Sequence, residues 1–397
     1  MLPLEEVRAH ILSRCVAKEP VLVPVADALG LITAEDIVAS EMIPPFDNTA
    51  MDGFAVRSAD VADPPTQLEI VETIPAGYAP VCSVGAGQAS RIMTGALMPD
   101  GADAVVMVER THAEGDTVTV EISVPTGNHV RPAGDDIQPG TLVFEAGTEL
   151  TAGGLGVLCS LGCTEVLAHP RLCVGVMSTG DELVDDGGEL APGQIRDSNR
   201  RTLLSLLAEL PVDAIDLGLA IDDEAVIEAG LRRGALECDA ILTSGGVSMG
   251  DFDYVKEVLA RIADMRWMQV AIKPAKPLAF GLLGDVPVFG LPGNPVSSMV
   301  SYELFARSGL RSMLGHRDPV RAPVLAVAGE NLHRRPDGKT HFLRIVATHA
   351  DGRYVVKSAG GQGSHMLWAM SKANALAVVP DGDGFDEGDD IEVLLLS

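Results

Sequence analysis

The sequence has no C-x-x-C pair and no zinc-site spacing; its six cysteines, at 15, 82, 159, 163, 173 and 238, are scattered over 397 residues. That argues against a disulfide framework and against a structural metal site. Cys159 and Cys163, four residues apart, read as buried helix positions, since free cysteine is among the most buried side chains. Long apolar runs are absent as well: no stretch reaches the ~18 apolar residues of a membrane span. The opening "MLPLEEVRAHILSRC" carries charge within its first six residues and has no apolar stretch of signal length. The expected location is therefore the cytoplasm. Basic side chains are scarce, 29 against 56 acidic ones, for a net charge of −27. Nucleic acid and anionic membrane are thereby excluded as unassisted partners, and any anionic substrate has to meet a local exception to the field. There is no internal repeat and no low-complexity segment.

What is present is a long chain with 47% hydrophobic residues, enough for about two to four domains at roughly 150 residues each. Leu4, Val7, Ile11, Leu12 and Cys15 follow helical spacing after Pro3, which predicts an amphipathic packing helix. From about Gly53 to Gly147 short β-like runs ("FAVRSAD", "ADAVVMVER", "TVTVEISV") alternate with turn residues, as in a small β insertion. "TAGGLGVLCSLGC" then restores helical spacing and rejoins the scaffold begun at the N-terminus. From Pro170 to about Gly315 strands and helices alternate, which predicts a parallel sheet covered by helices on both faces. Arg321 onward reads as short strands of a β-barrel or sandwich. The expected fold class is thus α/β multidomain. A scaffold occupies 1–43 and 141–169, a β insertion 44–140, an α/β domain 170–318 and a β-barrel 319–397.

Three loops follow strands of the α/β segment: "STGDEL" (Ser178–Leu183), "TSGGVSMGDFD" (Thr243–Asp253) and "LPGNPVSS" (Leu291–Ser298). In a parallel sheet such loops share one edge, where ligands collect. Gly245, Gly246 and Gly250 suit a backbone that turns N–H groups toward phosphate, with Asp251 and Asp253 placed for a divalent cation. The same loop fits a plain turn with helix-capping aspartates. Its G-x-S-x-G pattern also fits a nucleophile elbow at Ser248. That reading needs a histidine, and the downstream histidines (His316, His333, His341, His349, His365) fall in or near the last β region, with no oxyanion segment of the HGGG type. "AIKPAKPLAFG" carries Lys273 and Lys276 between prolines, either an oxyanion cradle or two ordinary solvated lysines. "PPFDNTAMDGFAV" concentrates Asp47, Asn48, Thr49 and Asp52 with the apolar anchors Met51 and Phe54, either a site or a hinge, and Thr94, Arg131 and Asp136 belong to the same insertion.

Together "PPFDNTAMDGFAV", "RIMTGALMP", "RPAGDDI", "STGDEL", "QIRDSN", "TSGGVSMGDFDYV", "IKPAKPLAFG", "LPGNPVSS" and "GQGSHML" resemble, in order from about residue 2 to about residue 380, the molybdopterin molybdenumtransferase family, MoeA and the gephyrin E domain. The resemblance implies an L-shaped four-part subunit in a homodimer, with the cleft between the α/β domain of one subunit and the insertion of its partner. It implies that adenylylated molybdopterin and molybdate are consumed with Mg²⁺ and that AMP and molybdenum cofactor are released. Molybdopterin-pathway proteins and apo-molybdoenzymes are the implied transient partners. Catalytic roles would fall on Asp52, Thr94, Arg131, Asp136, Glu182 and Asp253, and metal binding on Asp181, Glu182, Asp222 and Asp253. The pterin and nucleotide would meet Ser178, Gly180, Ser198, Asp222, Gly245, Gly246 and Ser248. The molybdate cradle would map to Lys273, Lys276, Pro277, Ser297, Arg344 and Ser364, with Pro292 and Pro295 as further cofactor-binding positions. Two departures stand out: Gln269 where many relatives carry lysine, and Ala275 where many carry glycine. Molybdopterin adenylyltransferase and a non-catalytic scaffold of the same fold are the competing readings.

Overall fold

The computed structural model describes residues 1–246 and 254–396. The chain divides into two compact units, one of Met1–Ala34, Gly147–Thr151 and Val166–Ser397, the other of Glu35–Ala146 and Ala152–Glu165.

The larger unit holds a six-stranded sheet of β1 (Leu172–Thr179), β2 (Val212–Ala220), β3 (Ala240–Ser244), β4 (Asp264–Gln269), β5 (Pro277–Leu283) and β6 (Val286–Leu291), in the order β2-β1-β3-β6-β5-β4. Strand β1, "LCVGVMST", is buried along nearly its whole length, as a strand covered on both faces must be. Its residues sort by face. Val174 and Val176 join Leu242 and Phe289 against Leu203 and Leu207 of the helix Asn199–Leu207. Met177 joins Ile241 and Val288 against Ile227, Leu231, Val258 and Leu259 of the helices Glu224–Glu237 and Tyr254–Ile262. Asp223 caps the first of these two by accepting the Val226 N–H at 3.0 Å. The N-terminal helix, Leu4–Leu12, packs Val7 and Ile11 into the first face's core together with Cys15, which follows it.

The sheet departs from the all-parallel expectation. Strands β2, β1, β3 and β6 are parallel, but β5 runs antiparallel to both β6 and β4. Leu283 pairs with Val286, leaving Gly284 and Asp285 as a two-residue loop with Gly284 at φ 65°. Such a loop can only reverse the chain, because a parallel return needs a crossover of a dozen residues or more.

The last segment forms β7 (Val324–Ala328), β8 (Thr340–Ala350), β9 (Arg353–Ser358), β10 (Ala375–Val379) and β11 (Asp390–Leu395). They pair as β8-β9-β7-β11-β10, and β10 returns to β8, closing a five-stranded barrel around Ile345, Val356, Ala377, Ile391 and Val393. Of barrel and sandwich, the chain makes the barrel.

The smaller unit contains a six-stranded sheet in the order Ala104–Met107, Gly53–Val56, Gln88–Ile92, Thr66–Ile74, Thr117–Val120, Thr111–Glu114. Its helix Ala152–Ser160 buries Gly154 and Leu158. Cys159, one residue on and so about 100° round the helix, is exposed, and Cys163 lies past the helix end and is partly exposed. The expectation that both are buried is thus corrected. Among the described residues no helix is long and apolar enough to cross a membrane.

Candidate functional site

Strand order β2-β1-β3 puts a reversal of winding between β1 and β3, and the crevice at such a switch point is where open α/β sheets take ligands. The loops meet there. Asn199 donates from its amide nitrogen to Ser244 Oγ at 2.8 Å and to the Gly293 carbonyl at 2.7 Å, tying the "DSN", "TSGG" and "LPGNP" segments together. Gly245 sits at φ 97°, and a Cβ there would lie 2.8 Å from the Thr179 carbonyl, so only glycine lets the β1 and β3 ends approach this closely. Gly246 follows it in the same left-handed region. The buried Ser178 hydroxyl donates to Asp197 at 3.1 Å. Asp197 also accepts from Arg200 Nε at 3.0 Å, and Arg200, 3% exposed, reaches Asp216 at 2.5 Å and Asp185 as well. Three carboxylates around one buried guanidinium lock the start of the helix that follows Ser198. An unpaired buried charge costs several kcal/mol, which these partners offset.

On the same edge Asp181 accepts the Asp222 backbone N–H at 2.9 Å. Burial holds the Asp222 carboxyl above the usual carboxylate range, and the negative charges of Asp181 and Glu182 add to it. Among the described residues, no three His, Cys, Asp or Glu side chains gather as a metal cage. The acidic loop therefore offers hard oxygen donors without a closed all-protein site. Ser248, Asp251 and Asp253 lie outside the described residues.

The "KPAKP" segment lines a cavity of about 290 Å³ with Pro292, Asn294, Ser297, Lys339, Gln362, Gly363 and Ser364. Backbone pairing builds it. Ile272 and Lys273 add in parallel to β8, opposite Thr340 and His341. The Val270 N–H donates to the Lys276 carbonyl at 2.8 Å, and the Val296 N–H to the Ser364 carbonyl at 3.1 Å. Pro274 and Ala275 are buried while Lys273 and Lys276 are exposed, and among the described residues neither lysine has a carboxylate within salt-bridge distance. In a chain of net charge −27 that is the local exception an anion requires. Pro295 opens the helix Pro295–Ser301, on which Ser297 is buried.

Arg344 is placed differently from the expected direct anion contact. It is fully buried, and its Nη2 donates to the carbonyls of Gly361 at 2.9 Å and Gly363 at 3.0 Å. Gln362 returns two bonds to the Arg344 backbone, both at 3.0 Å. Arg344 thus shapes the "GQGS" wall of the cavity, and it is one of the residues around a neighbouring hollow of about 510 Å³ that shares Lys273, Pro274 and Gln362. Gln269, half-buried, pairs with Pro277 at the end of β4 and is not among the residues lining the cavity.

The smaller unit carries its own cluster. Asn48 and Thr49 pair with Arg131 and Val130, Gly95 N–H donates to the Thr49 carbonyl at 2.9 Å, and Asp136 N–H donates to the Ile43 carbonyl at 2.9 Å. These bonds bring the "PPFDNTAMDG", "RIMTGALMP" and "RPAGDD" segments around a hollow of about 410 Å³ lined by Asn48, Arg131 and Asp136. The Thr94 hydroxyl donates to Asp52, 42 residues earlier, at 2.7 Å and so links "RIMTGALMP" to "PPFDNTAMDG". Sequence reasoning missed Asn199, Lys339 and Gln362, whose roles depend on pairings that no local spacing announces.

Residues 2–162 match the family description "MoeA N-terminal region (domain I and II)", residues 175–312 "Probable molybdopterin binding domain", and residues 326–396 "MoeA C-terminal region (domain IV)". The chain is 38% identical over 388 residues to molybdopterin molybdenumtransferase 2 of Mycobacterium tuberculosis, covering 95% of this chain and 94% of that one. It is likewise 38% identical to the molybdopterin molybdenumtransferase of Haemophilus influenzae, covering 97% and 96%. The crystal structure of the molybdopterin biosynthesis MoeA protein from Pyrococcus horikoshii OT3 superposes with a TM-score of 0.80 at 28% identity, covering 100% of each chain.

Proposed function

The chain belongs to the MoeA family of molybdopterin molybdenumtransferases, and from that premise we propose that it inserts molybdenum from molybdate into adenylylated molybdopterin with release of AMP. Water breaks the P–O bond that joins AMP to the pterin phosphate. The freed dithiolene then takes molybdenum from molybdate, forming two Mo–S bonds while the two thiol protons leave with one oxo oxygen as water.

The observation that carries the molybdate half is the pair Lys273 and Lys276, exposed, without carboxylate partners among the described residues, on a cavity closed by Ser297 and Ser364. Ammonium and hydroxyl donors around an anion give charge-assisted bonds, the strong kind. The pterin nucleotide belongs at the switch-point edge, where Gly245, its own N–H held by the Leu291 carbonyl at 3.1 Å, and Gly246 keep the backbone clear of side chains, and Ser178, Gly180 and Ser198 flank them. Asn294 and Pro292, on the loop fixed by Asn199, join that edge to the cavity. Asp181, Glu182 and Asp222 have the chemistry for Mg²⁺, which commonly takes one or two carboxylates and leaves its other positions to water and substrate phosphate. Bound there, the ion supplies charge neutralisation at the pyrophosphate. Asp52, Thr94, Arg131 and Asp136 serve the same reaction from the insertion, in a cytoplasmic homodimer whose four parts follow the boundaries read from the sequence.

The test is purified protein with adenylylated pterin, Mg²⁺ and molybdate, following AMP and the reconstitution of an apo-molybdoenzyme. Reconstitution that depends on molybdate is the expected result. AMP release without reconstitution points to a hydrolase and overturns the proposal.

A further inference from the structure

We infer that Lys339 is a third binding residue for the oxyanion of the Lys273–Lys276 cavity, contributed by the edge of the C-terminal barrel. The inference rests on the molybdate reading of that cavity and adds a residue that no spacing in the "KPAKP" segment points to.

Three observations carry it. Lys339 lines the cavity, and it does so because of strand pairing: Ile272 lies opposite Thr340 and Lys273 opposite His341, and the Thr340 N–H donates to the Ala271 carbonyl at 2.9 Å. The residue just before Thr340 is therefore delivered to the same wall as Lys273. Second, Lys339 is held at both ends. Its carbonyl accepts from Arg334 Nη1 at 2.6 Å and its Nζ donates to Asp337 at 3.1 Å. Asp337 is fixed in turn by Arg334 Nη2 at 2.7 Å, by His341 Nε2 at 3.1 Å and through its own N–H to Asp381 at 3.0 Å. Arg334 is itself only 3% exposed in its side chain. A free surface lysine gives up rotamer entropy when it closes on a ligand, and one already tethered gives up less. Third, an ammonium has three donors, and among the described residues Asp337 is the single acceptor for Lys339 Nζ. The remaining donors match the several acceptor oxygens of a tetrahedral oxyanion, and the charge of Asp337 is shared with Arg334 rather than spent on Lys339 alone.

The experiment titrates molybdate alone into the intact protein by calorimetry, with no pterin present, for wild type, Lys339→Gln, Lys339→Arg and Lys276→Ala. Lys339→Gln keeps most of the side chain's bulk on the barrel edge while removing the charge. Loss of one charge-assisted contact weakens molybdate binding by about tenfold in Lys339→Gln, and Lys339→Arg stays within about threefold of wild type. In turnover the same change raises KM for molybdate and leaves KM for adenylylated pterin unmoved, a split that general loss of structure does not give. Wild-type affinity in Lys339→Gln together with lost affinity in Lys276→Ala overturns the role of Lys339 and leaves the cavity reading standing. Wild-type affinity in both removes the cavity reading itself.

Discussion

Thr94 donates twice to one oxygen of Asp52, through its backbone N–H at 2.6 Å and through its hydroxyl at 2.7 Å. Hydrogen bonds to the ionised form favour it. The Thr94 backbone bond first and its hydroxyl second, with the positive charge of Arg91 behind them, hold the Asp52 carboxyl below the usual range.

Thr94→Val keeps the shape and the N–H but removes the hydroxyl. The Asp52 carboxyl then titrates at a higher pH than in wild type, toward the ordinary value near ~3.9. Because the folded value is the depressed one, the stability it brings is present above the ordinary carboxylate range and is lost as pH falls through the lowered value. The substitution narrows that interval from below. A carboxyl-detected NMR titration checks this; an Asp52 midpoint unchanged in Thr94→Val means that the hydroxyl contributes nothing.

Ala275 stands at φ 74° and is 3% exposed. A residue with a Cβ is strained in this region, by roughly 1–2 kcal/mol, whereas glycine is not. Ala275→Gly gives up the burial of one methyl and some unfolded-chain entropy, yet relief of strain outweighs both, for a net gain of about 0.5–1 kcal/mol. Ala275→Val moves the other way, since a β-branched side chain is the least tolerant of positive φ. Urea unfolding midpoints order the three proteins Gly above Ala above Val. A lower midpoint for the glycine variant than for wild type contradicts the strain.

How far the sequence could be read follows from where each contact lies along the chain. Local periodicity is enough for the helix Glu224–Glu237, which carries its own cap at Asp223, and for β1, whose apolar run is continuous. The β5–β6 hairpin also had its local signal, a glycine and an aspartate between apolar runs, but the alternation of strands and helices around it favoured a parallel reading. Asn199 and Lys339 had none. One acts through Gly293, 94 residues away, the other through strand pairing to Ile272 and Lys273, and neither partner is deducible from spacing. The family resemblance alone brings Arg344 forward, as a molybdate contact, and its role in holding two glycine carbonyls appears only once the "GQGS" loop is seen to wrap its side chain.

His316 is a source of acid sensitivity in the fold. Its Nε2 is buried without a hydrogen-bond partner among the described residues, and burial first, then the charges of Arg311 and Arg307, push its imidazole down to about 4. In the unfolded chain the same group titrates near ~6.5. Between these values the unfolded state binds a proton that the folded state refuses, so stability rises with pH across the window. The stabilisation is complete above about pH 6.5 and is lost progressively as pH falls toward 4, by about 2–3 kcal/mol in all. His316→Gln has no proton to take up and flattens this part of the profile, whatever it does to stability at neutral pH. Urea midpoints measured for both proteins at intervals from pH 4.5 to 7.5 decide the matter: the difference between wild type and variant has to shift in the variant's favour as pH falls, and parallel profiles place the acid sensitivity on other groups.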